Sequence, residues 1–207
     1  MHHDLPEPAL VAAALANLRR NGMRPWGLHG VAHWWRVRHN AQLLAPALGA
    51  SVKVARLFAI FHDSHRQDDD EDPQHGPRAA AWLAQVRSGD TTAHGACEVT
   101  RHVIVALTHA EFNSLHQACL LHTGSRHHAD ATVAACFTAD RLDLSRVGIR
   151  PDPAWMPVPA HLVDDTVIEA AMQRELLGLA WPGGAEIERV WGLVPADSAA
   201  SCWESRT

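Results

Sequence analysis

Apolar residues recur three and four positions apart along most of the chain, which is the spacing of one face of an α-helix. Residues 8–20 show this pattern until Pro25 and Gly27 interrupt it. The same pattern predicts helices over 31–48 and 52–61, from about 75 onward, and near 92–108, 112–122, 129–146 and 160–179. No segment shows the sustained alternation of a strand. We therefore expect an all-α fold, a single helical bundle.

The pattern weakens after Trp181, where Pro182-Gly183-Gly184 and Pro195 break it. A chain of 207 residues is long enough for one substantial domain. We expect a helical domain over 1–180 and a loosely ordered C-terminal extension over 181–207, with a short helix at 185–191 as its one element.

Charge and composition narrow the class of protein. The net charge of -5 argues against a protein that coats nucleic acid, because phosphate binding needs surplus cations. The N-terminus has no charged leader followed by an apolar core, and no apolar run approaches the roughly 18 residues that span a bilayer. The four cysteines form no CxxC pair, which favours reduced thiols. These features predict a cytoplasmic protein without a membrane segment.

Candidate chemistry lies in one ordered set of residues: His33, then His62-Asp63, then Asp140. Neutral imidazole and ionised carboxylate are the usual ligands of a catalytic divalent metal. His33 falls early in one predicted helix, the His62-Asp63 pair at the end of another, and Asp140 in a later one, so a metal site between packed helices is expected. Mixed nitrogen and oxygen ligands suit Mn, Fe, Co, Ni or Zn better than Ca.

The residues around these ligands resemble the HD-domain superfamily of metal-dependent phosphohydrolases. The resemblance covers roughly residues 28–153 and is strongest to a bacterial branch without an assigned function. The matching stretches are Leu28-His29-Gly30-x-x-His33-Trp34-x-Arg36-Val37, His62-Asp63-Ser64, Asp72-Pro73-x-His75-Gly76, His122-Thr123 and Ala139-Asp140-Arg141-Leu142-Asp143-Leu144. It implies an all-α fold and a divalent metal held by His33, His62, Asp63 and Asp140.

Some members of the superfamily hold two metal ions with two further histidines. His75 fits the first of these positions, and His122 or His109 fits the second. We favour His122, because it follows an apolar helix and shares its His-Thr-Gly context with the similar proteins. The alternatives are structural: a bond from His75 to the acidic loop 67–74, and stabilisation of a helix end by His122. One or two ions are therefore both expected outcomes.

Other residues of the matching stretches are candidates for contact with a small anionic substrate, expected to be phosphorylated. His29 is a candidate substrate contact, and arginine side chains are suited to bidentate binding of phosphate. The candidate arginines are Arg36, Arg66, Arg78 and Arg141. Ion pairs with the acidic loop are the alternative role, above all for Arg66.

The acidic loop supplies candidate acids. Asp69 and Asp72 match acidic positions of the similar proteins and are the two candidates for a general acid, whereas the rest of the loop reads equally well as a solvated segment or as a lid. Asp143, one turn after Asp140, is a candidate to orient a ligand histidine. The predicted catalytic residues are therefore Asp63, Arg66, Asp69 and Asp72.

Three functions are compatible with this pattern. The first is hydrolysis of a phosphomonoester or nucleotide by metal-bound hydroxide, with arginines stabilising the developing charge. The second is a di-iron oxygenase, because some proteins of the same superfamily oxidise C–H bonds with the same six ligands. The third is a metal or nucleotide binder without catalysis. A fold does not decide among them; bound iron with O₂ consumption would favour the second, and phosphate release would favour the first.

Overall fold

Helices form all the regular secondary structure in the computed structural model, which describes residues 5–178 and 183–194. The predicted all-α fold is confirmed, since these residues contain no strand. The helices are α1 (Glu7–Arg20), α2 (Val31–Ala47), α3 (Val52–Phe61), α4 (His75–Ser88), α5 (Glu98–Val105), α6 (His109–Leu121), α7 (Ala131–Arg141), α8 (Asp165–Leu177) and α9 (Gly183–Trp191). Short 3-10 turns lie at Leu144–Val147, Pro153–Trp155 and Ala160–Leu162.

Helix α3 lies at the centre of the bundle. It packs against α2, α6 and α7, while α4 packs against α5 and α6. Its last four residues, 58–61, are fully buried, and the ring of Trp34 on α2 joins the same core. Because α3 ends inside the protein, the residues that follow it, His62 and Asp63, enter the interior and not the solvent.

Local capping explains where several helices differ from the predicted bounds. The side chain of Thr108 accepts from the backbone N–H of Glu111, and Glu111 reciprocates, so α6 begins at His109. The predicted helix near 92–108 is shortened to α5, since Gly95 adopts a φ of 78° before it. Asp164 accepts from the backbone of Val167 and sets the start of α8.

The C-terminal extension is more closely packed than the sequence indicated. The expected short helix is present as α9, and it contacts α1 and α2. Trp191 is buried, and its ring meets that of Trp35 edge to face at 4.8 Å between centroids. Within the described residues the extension is therefore part of the bundle, and residues 195–207 lie outside the description.

Two further expectations concern the cysteines and a membrane-spanning helix. Cys97, Cys119 and Cys136 are free thiols. Among residues 5–178 and 183–194, no helix combines the length and the apolar character needed to cross a membrane.

A buried carboxylate joins the two ends of the chain. Glu7 accepts from Arg38 Nε at 2.8 Å, from Arg56 Nε at 2.5 Å and from Trp191 Nε1 at 2.8 Å. These donors belong to α2, α3 and α9, so one side chain of α1 fixes four helices. Its removal would leave the buried guanidinium of Arg38 without this carboxylate partner.

We predict that Glu7→Gln lowers the free energy of unfolding by about 3 kcal/mol, the typical cost of breaking a buried ion pair. Urea denaturation followed by circular dichroism measures it. Glu98→Gln is the matched control, because Glu98 also lies in the first turn of its helix but is exposed. Equal effects of the two substitutions would show that Glu7 acts only on the helix dipole.

Candidate metal centre

Six side chains from five parts of the bundle meet around one buried carboxylate. His33 comes from the first turn of α2, His62 and Asp63 from the end of α3, His75 from the first residue of α4, His122 from the end of α6, and Asp140 from the last turn of α7. They form two groups that could each hold a metal ion, His33 with His62 and Asp140, and Asp63 with His75 and His122. Five of the six are buried, and Asp140 is nearly so.

Asp63 lies between the two groups. Its Oδ2 atom is 3.4 Å from His33 Nε2 and 3.7 Å from His62 Nε2. Its Oδ1 atom is 3.0 Å from His75 Nε2 and 4.0 Å from His122 Nε2. The two oxygens of one carboxylate thus face two different pairs of histidines.

Hydrogen bonds on the far side of each ring orient the histidines. His33 Nδ1 lies 2.7 Å from Asp143 Oδ2, and His62 Nδ1 lies 3.1 Å from the carbonyl oxygen of Phe58. His122 Nδ1 similarly lies 2.8 Å from the carbonyl oxygen of Cys119. A carbonyl oxygen or an ionised carboxylate can only accept, so each Nδ1 carries the proton and each Nε2 keeps its lone pair.

The second group follows the same rule. His75 Nδ1 lies 2.5 Å from the carbonyl oxygen of Asp72, so this nitrogen carries the proton and, in the neutral ring, Nε2 of His75 keeps its lone pair as well. The lone pairs then face one another, at 3.0 Å between His33 and His62 and at 2.8 Å between His75 and His122. Lone pairs this close repel unless a cation lies between them.

Unpartnered oxygens point to the same requirement. Asp63 Oδ2 and Asp140 Oδ1 are buried and find no hydrogen-bond donor within the described part of the chain. A buried carboxylate oxygen without a donor is costly, unless it coordinates a metal. The donor set and its charges therefore fit a divalent cation.

Electrostatics keep the ligands in their metal-binding protonation states. Burial lowers the pKa of His62 to about 3 and that of His122 to about 4. Burial disfavours ionisation of Asp63, but the neighbouring His62, His33 and His75 outweigh it and hold its pKa well below the ordinary value. Near neutral pH His62 and His122 are neutral and Asp63 is ionised, as metal coordination requires.

A glycine permits the approach of α4 to α6. A Cβ atom on Gly76 would lie 2.4 Å from the carbonyl oxygen of Cys119, the same oxygen that accepts from His122. Any side chain at this position would move the start of α4, and with it His75, away from His122. The pairing of the two histidines thus depends on the absence of a side chain at residue 76.

The structure places His122, and not His109, beside the other candidate ligands. His122 caps the C-terminal end of this helix beside Asp63, whereas His109 is its first residue. A 13-residue helix is about 20 Å long, so His109 lies at the far end. His75, which also contacts the loop through the Asp72 carbonyl, faces Asp63 and His122.

A cavity of about 710 Å³ opens onto four of the six side chains, Asp63, His75, His122 and Asp140. His29, Arg66, Asp69 and Arg141 line it, as expected of groups near a substrate. His29 Nδ1 lies 3.2 Å from Asp69 Oδ1, so the acidic loop forms part of the wall. Arg141 is anchored to the carbonyl oxygens of Ser125, Arg126 and Trp155.

Among the predicted catalytic and substrate-binding residues, three do not line this cavity. Arg36 makes a bidentate bond to Asp143, at 2.6 and 3.0 Å, and so supports the partner of His33 instead of binding substrate. Arg78 donates to Asp72 and to the carbonyl oxygen of His65. Asp72 is a poor general acid, because burial is outweighed by the bond from Arg78 and its pKa is lowered.

Sequence reasoning missed Arg146. This arginine is buried, lines the cavity, and has its Nη2 atom 3.8 Å from Asp140 Oδ1. It lies on the 3-10 turn Leu144–Val147, six residues after Asp140 in the stretch Asp140-Arg141-Leu142-Asp143-Leu144-Ser145-Arg146. Its position one turn after Asp143, close to the candidate ligand Asp140, was the sequence feature that could have indicated a place near the site.

Comparison with known proteins identifies no relative. No protein-family model matches the chain, and no curated protein or solved structure gives a match. The HD-domain resemblance therefore stays a prediction from the motifs, and the geometry carries the functional argument.

We predict that His122→Ala lowers the bound metal per chain, whereas His109→Ala leaves it unchanged. Of these two histidines, only His122 lies beside the carboxylate of Asp63. Elemental analysis of each purified variant measures the metal, and circular dichroism checks that the helices remain. The opposite order of loss would contradict the ligand assignment.

The metal-free protein should lose stability as the pH falls from about 6.5 to about 4. Burial lowers the pKa of His62 to about 3 and that of His65 to about 4. Between these values and the unfolded value of 6.5, these two side chains take up protons only in the unfolded chain, so a falling pH favours unfolding. Chelator-treated protein is unfolded with urea at each pH. His65→Phe, which keeps a ring beside Trp82, should reduce the slope, while His127→Phe at an exposed position should not. An unchanged slope in His65→Phe would contradict a neutral buried His65.

Proposed function

We propose that this protein is a metal-dependent phosphohydrolase that acts on small phosphomonoesters and holds two divalent cations, one in each group of ligands. The observation that carries the proposal is the position of Asp63. Its two oxygens face separate histidine pairs, at 3.4 Å from His33 Nε2 and 3.0 Å from His75 Nε2. A carboxylate shared in this way is suited to bridging two ions.

Divalent cations in these groups would supply an acidified water and the positive charge that stabilises phosphoryl transfer. The residues of the chain do the remaining work. Asp63 and Asp140 stay ionised although burial opposes it. Histidines, His62 first, lower the pKa of Asp63, and Arg146 followed by histidines lowers the pKa of Asp140. Asp143 and Arg36 hold His33 in one orientation.

The cavity suits an anion that reaches the ligands from solvent. Guanidinium groups of Arg66, Arg141 and Arg146 line it, together with His29. Guanidinium groups bind phosphate oxygens through directed hydrogen bonds. These guanidinium groups favour a phosphorylated substrate over the uncharged C–H substrate of an oxygenase, although Asp69 and Asp70 also line the cavity and the six ligands alone are compatible with both.

Membership of the HD-domain superfamily is part of the proposal. The order of the ligands along the chain and their convergence on α2, α3 and α7 support it, as does the contribution of His75 and His122. Mixed histidine and carboxylate ligands favour Mn, Fe, Co, Ni or Zn. A small anionic substrate is proposed on the same grounds.

The test is release of inorganic phosphate from a panel of phosphomonoesters by protein loaded with each of these metals in turn. We predict that Asp63→Asn reduces the rate at least about 100-fold, because loss of the shared ligand removes several kcal/mol of transition-state stabilisation. Asp165→Asn is the control, since Asp165 is exposed on α8. Iron-dependent O₂ consumption without phosphate release would contradict hydrolysis and favour an oxygenase.

A further inference from the structure

Four arginines of the described residues are more than nine-tenths buried, and they fall into two kinds. Arg36 is paired with Asp143, and Arg38 with Glu7, each through short hydrogen bonds to the carboxylate. Arg66 and Arg146 line the cavity of the candidate metal centre. Neither of these two has a carboxylate within hydrogen-bond distance among residues 5–178 and 183–194.

The hydrogen bonds of Arg66 and Arg146 leave donors unused. Arg66 Nη2 donates to the carbonyl oxygen of Asp70 at 3.3 Å, and Arg146 Nη1 donates to that of Asp143 at 3.0 Å. The Nε–H of each is buried and finds no acceptor in the described part of the chain. Arg66 Nη1 lies 2.9 Å from His75 Nδ1, but that nitrogen directs its own proton to Asp72 and cannot accept.

The two guanidinium groups lie beside different groups of the candidate ligands. Arg66 contacts His75, in the group that contains Asp63 and His122. Arg146 lies 3.8 Å from Asp140, in the group that contains His33 and His62. An anion that spans both groups would meet one guanidinium at each end.

Charge balance requires such an anion once metal is bound. A buried guanidinium without a counter-charge is unfavourable. Asp140 is the nearest carboxylate to Arg146, and a divalent cation would neutralise it. Both guanidinium groups would then remain without a carboxylate within hydrogen-bond distance in the described protein, while Asp69 and Asp70 line the same cavity farther from them.

We propose that Arg66 and Arg146 form a two-sided subsite for a tetrahedral dianion, the terminal phosphate of a monoester or the inorganic phosphate released from it. Arg146 is then a substrate-binding residue on the Asp140 side. A phosphodiester carries one negative charge at this group and balances the two guanidinium groups less well. The inference rests on the proposed function for the bound metal.

The experiment titrates inorganic phosphate into Mn-loaded full-length protein by calorimetry, with metal content measured on the same samples. We expect Arg146→Gln and Arg66→Gln to raise the Kd for phosphate at least about tenfold, because each removes charge-assisted hydrogen bonds. Arg146→Lys keeps the charge without the planar donors and should be intermediate. Arg150→Gln is the matched control, since Arg150 is half exposed and pairs with Glu169 outside this cavity.

Several outcomes separate the alternatives. An unchanged Kd in Arg146→Gln would overturn the inference, and a lower melting temperature without phosphate would then assign Arg146 a purely structural role. Phosphate binding that depends on Arg146 in a protein that hydrolyses no monoester would support the subsite and contradict the hydrolase. Hydrolysis of a monoester with an unchanged Kd for phosphate in both Gln variants would support the hydrolase and contradict the subsite. Absence of bound Mn would contradict both proposals.

Discussion

The structure depends on a single buried carboxylate that two pairs of histidines share. Asp63 has one oxygen 3.4 Å from His33 and the other 3.0 Å from His75. Its burial is possible because α3 ends in the core and delivers the side chain where α2, α4, α6 and α7 converge. A carboxylate in this position needs positive charge, and the arrangement of lone pairs around it leaves a metal cation as the natural source.

Contacts around the centre fix the orientation of the histidines that face Asp63. Backbone carbonyl oxygens and Asp143 hold the Nδ1 protons, so the Nε2 lone pairs converge on the interior. Gly76 lets two helix ends approach closely enough for His75 to meet His122. Conventional ion pairs stabilise the bundle elsewhere, as Glu7 does for α1, α2, α3 and α9. The centre differs because its carboxylates lack sufficient donors.

Sequence patterns predicted the helical fold because apolar spacing determines which face of a helix is buried. The six candidate ligands were named from the HD-domain resemblance, and the structure brings them together because α3 ends in the core and places His62 and Asp63 inside the bundle. The roles of the arginines depend on distant contacts. Arg36 was expected at the substrate but bonds Asp143, 107 positions away, while Arg146 went unnoticed on a 3-10 turn. Spacing along the chain does not reveal which carboxylate a flexible guanidinium reaches. Hydrolysis remains a proposal, since none of the comparisons gave a match.

The most direct test of the central claim is the position of metal in a crystal of the Mn-loaded protein, measured by anomalous scattering. The account predicts two peaks about 3.5–4 Å apart on either side of the Asp63 carboxylate, one beside His33, His62 and Asp140 and one beside His75 and His122. A crystal with no metal between these histidine pairs, or with metal bound only elsewhere on the protein, would contradict it.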